Sequence, residues 1–168
     1  MGNENFWETF EVSYSPAINI NTMGDQRFWE LCRDGDIEGV QAAIYNGADV
    51  NEEDQGATGG LMYALYNTHN DVVQLLLNHP QIDVNKVNRN GKGALHYAVV
   101  GVNQEGLAAL LARQDLTTIN QRNRNGWSPI VHAVEWNAVN CFNLLVADPR
   151  LDLDTRDNYQ RSPEEVYR

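Results

Sequence analysis

Two stretches decide the fold: NGKGALHYAV at residues 90–99 and NGWSPIVHAV at residues 125–134. Each opens with Asn-Gly, ends in Ala-Val and holds a histidine among apolar residues, 35 positions apart. Such a pair is either two catalytic imidazoles or one structural unit written twice. The flanking residues separate these readings.

Alignment of the two stretches extends in both directions. Leu61, Leu95, Ile130 and Glu164 fall in one column, at steps of 34, 35 and 34. Ala64, Ala98 and Ala133 form a second column, and Asn51, Asn85, Asn120 and Asp154 a third. Apolar pairs recur between these markers, in QLLLN around Leu76, ALLA around Leu111 and NLLV around Leu145. An earlier copy runs through LCRDGDIEGVQAAIYNGADVN at residues 31–51.

Each copy has a physical logic. Gly91 and Gly126 supply a turn in which positive φ carries no steric penalty. Ser128-Pro129 and Ser162-Pro163 then read as an N-cap serine, its oxygen accepting an orphan backbone N–H, with proline at the first helical position. A short helix follows, and a second carries Val72, Val73, Leu76 and Leu77 at spacings of 3 and 4. Neither helix buries its apolar face alone, so the copies must stack. The alanine column marks where neighbouring helices approach closely.

Bulk properties narrow the function. The chain has 168 residues, 42% hydrophobic and 21% charged, which suits one folded domain. A net charge of −11 disfavours phosphate backbones, so nucleic acid is not an expected partner. No apolar run reaches the ~20 residues that cross a bilayer, and the acidic N-terminus MGNENFWETF lacks an apolar signal core. Cys32 and Cys141 read as small buried hydrophobes in a reducing compartment, and the expected location is the cytoplasm, or the nucleus as well.

The period, caps and paired helices resemble the ankyrin repeat, whose signature T-P-L-H-x-A precedes L-L-x-x-G-A-D-V-N. The matching residues are GALHYA at 93–98, SPIVHA at 128–133, GGLMYA at 59–64 and NGADVN at 46–51. The resemblance implies an all-α repeat solenoid of helix-turn-helix pairs with protruding β-hairpin loops. Its repeats fall at about 25–53, 54–87, 88–122 and 123–156, with a partial repeat at 157–168. Repeat two lacks Thr-Pro and His, and repeat four places Val131 in the histidine slot and displaces His132 by one. The resemblance gives His96 a structural role in its turn and leaves His132 none. Residues 1–24, with Phe6, Trp7, Phe10 and Tyr14, read either as an arm on the first repeat or as a binding motif.

No nucleotide fingerprint, nucleophile elbow or metal-ligand spacing is present, so the expected protein is not an enzyme and takes no cofactor and no metal. The resemblance implies a monomeric protein-interaction module, an adaptor or scaffold that binds a protein or peptide through hairpin tips and exposed first-helix positions. Carried over residue by residue, those positions are Arg33, Gln55, Tyr66, Asn67, Arg89, Asn90, Lys92, Arg124, Trp127, Glu135, Trp136 and Tyr159. Aromatics at exposed positions suit binding hot spots. Charge is segregated too. Residues 1–54 hold 12 acidic and 2 basic residues, whereas residues 86–126 hold 6 basic (Lys86, Arg89, Lys92, Arg113, Arg122, Arg124) and 2 acidic. A basic ridge beside Trp127 would suit an acidic or phosphorylated peptide, and plain solubility is the competing reading. Two further readings stand. Asn85, in LNHPQIDVN, resembles the context that asparaginyl hydroxylases modify, and a recognition fragment of a larger multidomain protein is the other alternative.

Overall fold

The computed structural model describes residues 26–154, 156–162 and 165. The N-terminal segment expected at 1–24 lies outside them. The described residues form eight α-helices in four successive pairs: α1 (Phe28–Asp34) with α2 (Ile37–Tyr45), α3 (Gly60–Tyr66) with α4 (Asn70–Leu77), α5 (Ala94–Val100) with α6 (Gln104–Leu111), and α7 (Pro129–Glu135) with α8 (Val139–Val146). First helices pack on first helices and second on second, which makes a solenoid. The core runs unbroken along the stack. Leu65, Leu76, Leu95, Leu107, Leu110, Ile130 and Leu145 are fully buried, each contributing roughly 1.5–3 kcal/mol.

Side-chain size sets the helix spacing. Ala64, Ala98 and Ala133 are all buried where first helices meet. At Gly101 even a methyl group would strike the backbone carbonyl of Tyr66. Within each pair the chain reverses through one left-handed residue, at Gly35, Thr68, Val102 and Asn137.

Capping follows expectation at some ends only. Asp36 Oδ1 accepts the Gly39 N–H, and Asn103 Oδ1 that of Gly106. Ser162 Oγ accepts from Glu165 N at 3.3 Å, while Glu165 Oε2 accepts from Ser162 N at 2.7 Å, a reciprocal box. Pro129 stands at the start of α7. The expected cap at Ser128 is not made, because its hydroxyl is buried without a partner. Repeat three has His96 three residues after Gly93, and its Nδ1 accepts the Gly93 N–H. Repeat four has Val131 at that place, with no polar atom to offer.

The asparagine column fastens each repeat to the next. Asn51 Nδ2 donates to Gln81 O and its Oδ1 accepts Asp83 N, Asn85 does the same with Asp115 O and Thr117 N, and Asn120 with Arg150 O and Asp152 N. The longer step of 35 between Asn85 and Asn120 is absorbed locally, in a 3₁₀ turn at Thr118–Asn120.

Candidate interaction surface

The loops before each first helix share one device. Asp54 Oδ1 accepts the amides of Gly56 and Thr58, at 2.7 and 2.8 Å. Asn88 Oδ1 takes those of Asn90 and Lys92, Asn123 Oδ1 those of Asn125 and Trp127, and Asp157 Oδ1 those of Tyr159 and Arg161. A short acceptor that binds the backbone two and four residues ahead folds the tip on itself. The other end of each side chain reaches its own repeat. Tyr63 Oη donates to Asp54 Oδ2 at 2.7 Å, Asn88 Nδ2 donates to Tyr97 Oη at 2.8 Å, and Asn123 Nδ2 meets His132 Nε2 at 3.0 Å. Burial and the Asp54 contact push the Tyr63 phenol up to about 12. Burial opposes the Asp54 charge, yet the amides and the phenol hold its carboxyl below the usual range.

Neighbouring tips are joined as well. Arg89 N donates to Gly56 O, Arg124 N to Asn90 O, and Asn158 N to Asn125 O. The hairpins thus form a hydrogen-bonded ledge with two isolated β-bridges, Glu53 with Gly59 and Val87 with Gly93. Arg89, Asn90 and Arg124 are exposed on it, and Lys92 is half-buried. Arg89, Lys92 and Arg124 have no ion-pair partner among the described residues, and Arg122 donates to Gly126 O and Asn158 Oδ1. Two cations expected on the ridge do not belong to it. Lys86 pairs with Glu53 at 2.6 Å, and Arg113 pairs with Asp115 and caps Leu77 O.

The aromatic expectations divide. Tyr66, Trp136 and Tyr159 are exposed, at 47%, 60% and 76%. Trp127 is not a surface residue of this kind. It is half-buried on the core, its ring 5.3 Å from His132, and its Nε1 is enclosed without a partner. The glycine turn before it carries the chain inward, so Trp127 roofs the histidines. Gln55 and Glu135 are exposed as expected. Asn67 is half-buried at the end of α3, its amide donating to Arg33 O at 3.0 Å. Arg33 is exposed, bonds Asp34 at 2.8 Å and lies 5.5 Å from the Trp29 ring centroid. Asn85 is half-buried, with both ends of its amide engaged.

Three aromatics of this face escaped the sequence reading. Trp29 stacks on Tyr63 at 5.5 Å, and Tyr66 meets Tyr97 edge-on at 6.4 Å. Together they form an aromatic strip over α1, α3 and α5. The signal was present, since Tyr63 and Tyr97 share one register immediately before the alanine column.

The two buried imidazoles have structural work. His96 Nδ1 accepts Gly93 N–H, so its Nε2 carries the proton and donates to Trp127 O at 3.0 Å. Burial pushes His96 down to about 4. His132, expected to lack a role on the far side of its helix, is in fact buried, binds Asn123 and packs edge-on against His96 at 5.4 Å. Burial, then the neighbouring His96, lowers it to about 3. Burial likewise raises both thiols, Cys32 and Cys141. Among the described residues no three His, Cys, Asp or Glu side chains gather to hold a metal.

The hairpin latch thus repeats with the sequence period, and a family model for ankyrin repeats in three copies matches residues 28–120, more than half of the chain. The chain belongs to the ankyrin repeat family. The fourth ankyrin pair, α7 with α8, lies beyond the matched stretch and repeats the same packing. The chain is also similar to Rabankyrin-5 of Mus musculus, 31% identical over 77 residues. That match covers 46% of this chain and 7% of the relative, so this chain spans a small part of that protein's length. Ankyrin repeats generally mediate protein–protein interaction. No helix among the described residues is long and apolar enough to cross a membrane.

Proposed function

We propose that this ankyrin solenoid is a non-catalytic adaptor that grips an acidic or phosphorylated peptide along the hairpin ledge of repeats three and four. One observation carries the reading: Arg89, Lys92 and Arg124 present cations with no internal carboxylate partner among the described residues, whereas Lys86, Arg113, Arg150, Arg156 and Arg161 are each paired. Unpaired guanidinium groups on a hydrogen-bonded backbone suit planar carboxylate or phosphate groups, which they bind through two bonds at once. The adjoining strip of Trp29, Tyr63, Tyr66 and Tyr97 supplies the apolar area that charge alone does not.

The test is a fluorescence titration with acidic, phosphorylated and neutral peptides at several salt concentrations. Acidic peptides should bind more tightly, weakening as salt rises, and the preference should vanish in Arg89→Glu/Arg124→Glu. Equal binding of neutral and acidic peptides, or an unchanged preference in the double variant, would overturn the assignment.

A further inference from the structure

The hairpin ledge is one edge of the solenoid, and the turns between paired helices form the other. Each first helix begins at a hairpin and ends at such a turn, so a seven-residue helix, roughly 10 Å long, separates the edges. The turns are stitched together, Asn67 Nδ2 donating to Arg33 O and Asn103 Nδ2 to Leu65 O at 3.1 Å. Tyr66, Val102, Trp136 and Val139 stand exposed at these turns in three successive repeats. They are four of the nine large apolar side chains exposed among the described residues, a concentration that scattered surface residues do not show. Val102 is also strained. It is β-branched and holds φ at +53°, where repeats one and four place Gly35 and Asn137. At 51% exposure it returns little of that cost as burial.

The same turns are acidic. Residues 33–38, 66–71, 100–105 and 135–140 hold six carboxylates and one cation, Arg33. Arg33 is bound to Asp34, and Asp36 caps Gly39. Glu38, Asp71, Glu105 and Glu135 are exposed, with no ion-pair partner among the described residues. Asn70 Nδ2 donates to Glu105 Oε2, a neutral contact that leaves the charge in place. The two edges thus differ in sign, with free cations at the hairpins and free carboxylates beside an apolar row at the turns.

We propose that the turn edge of repeats two to four docks a cationic amphipathic helix of a partner protein. Its apolar side chains lie on Tyr66, Val102 and Trp136 with Val139, and its Lys or Arg side chains on Asp71, Glu105 and Glu135. Spacing selects a helix. Stacked helices pack about 8–10 Å apart, so the turns recur at that interval. Seven residues of an α-helix rise about 10.5 Å and return to nearly the same face. Three residues of a β-strand cover a similar distance, but the third side chain then points away. The partner helix therefore carries apolar residues at i, i+7 and i+14, with basic residues one turn from each. The acidic-peptide reading concerns the opposite edge and stands or falls separately.

The probe is a labelled helical peptide with leucine at i, i+7 and i+14 and lysine four residues after each, titrated into the full chain. Its comparator has the same composition in scrambled order. Both carry equal charge, so plain attraction to an acidic protein is the same for each. The ordered peptide should bind at least about ten-fold more tightly, an advantage of ~1.4 kcal/mol. Val102→Gly removes the apolar side chain and relieves its strained backbone. It should weaken the ordered peptide about five-fold and leave the melting temperature nearly unchanged, since relief of strain offsets the added freedom of the unfolded chain. Glu105→Gln/Glu135→Gln should weaken binding and flatten its salt dependence. Equal binding of ordered and scrambled peptides, or full affinity in Val102→Gly, would overturn the proposal. Dimers of the chain that dissociate in Val102→Gly would give this edge to a second copy and overturn it as well.

Discussion

Asn123 and His132 are nine residues apart and meet inside repeat four, amide nitrogen to Nε2, at 3.0 Å. Asn123 Oδ1 already accepts two loop amides, so its Nδ2 must donate, and the imidazole must accept at Nε2. The His132 proton therefore sits on Nδ1, which is buried without a partner. In repeats two and three the same contact is made by Tyr63 and Tyr97, whose hydroxyls donate to or accept from the loop residue. Repeat four replaces a phenol by an ionisable ring.

A pH dependence follows. His96 and His132 fall to about 4 and about 3 when folded, below the ordinary 6.5. The unfolded chain binds protons first, so stability is complete above pH ~6.5 and declines as the pH falls through 6.5 toward 4. The His96 shift alone corresponds to ~3 kcal/mol. The melting temperature should drop steeply between pH 7 and 4.5, and His132→Tyr should flatten that slope. An imidazole resonance of His132 titrating near 6.5 in the folded chain would refute the assignment.

Two serines at matching positions should respond oppositely to alanine. Ser162 takes part in a reciprocal cap with Glu165, so Ser162→Ala should cost about 1 kcal/mol in urea unfolding. Ser128 Oγ is buried with no partner, so Ser128→Ala should be neutral or stabilising by up to ~1 kcal/mol. A loss at Ser128 comparable with that at Ser162 would mean the hydroxyl is satisfied in solution.

The contrast shows what periodicity conveys. Leu61, Leu95 and Ile130 recur because each first helix must bury one face, so the helices, their pairing and the alanine contacts could be read from spacing. The role of His96 came with the motif. Trp127 and His132 could not be placed the same way, because their orientation depends on Val131 lacking the imidazole of repeat three. The aromatic strip joins residues of neighbouring repeats, 34 positions apart in the Trp29–Tyr63 stack and 31 in the Tyr66–Tyr97 pair, so the shared register of Tyr63 and Tyr97 does not by itself reveal which rings meet. Nor does formal charge reveal which cations are spent internally, as Arg113 and Lys86 are.

Arg150 separates a structural cation from a free one. Its guanidinium donates to the carbonyls of Leu111, Arg113 and Leu116 and is aligned by Asp148. Arg150→Ala should cost about 2 kcal/mol, because three carbonyls lose a charged donor. Arg89→Ala should leave stability within ~0.5 kcal/mol, since no described residue depends on that side chain. Equal losses in chemical denaturation would contradict this division.

The two tryptophans of repeat four give the sharpest test of the surface. Trp127 packs on His132 and the core, and His96 donates to its carbonyl. Trp127→Ala should therefore destabilise by roughly 2–3 kcal/mol, and any loss of binding would follow from loosening of the third and fourth tips. Trp136 is 60% exposed at the end of α7 beside Glu135, so Trp136→Ala should leave the melting temperature almost unchanged. If Trp136 belongs to the contact surface, that variant should weaken peptide binding with no change in the unfolding midpoint, which Trp127→Ala cannot achieve. Full peptide affinity in Trp136→Ala would remove Trp136 from the surface and leave the ledge cations and the Trp29–Tyr97 strip to carry recognition.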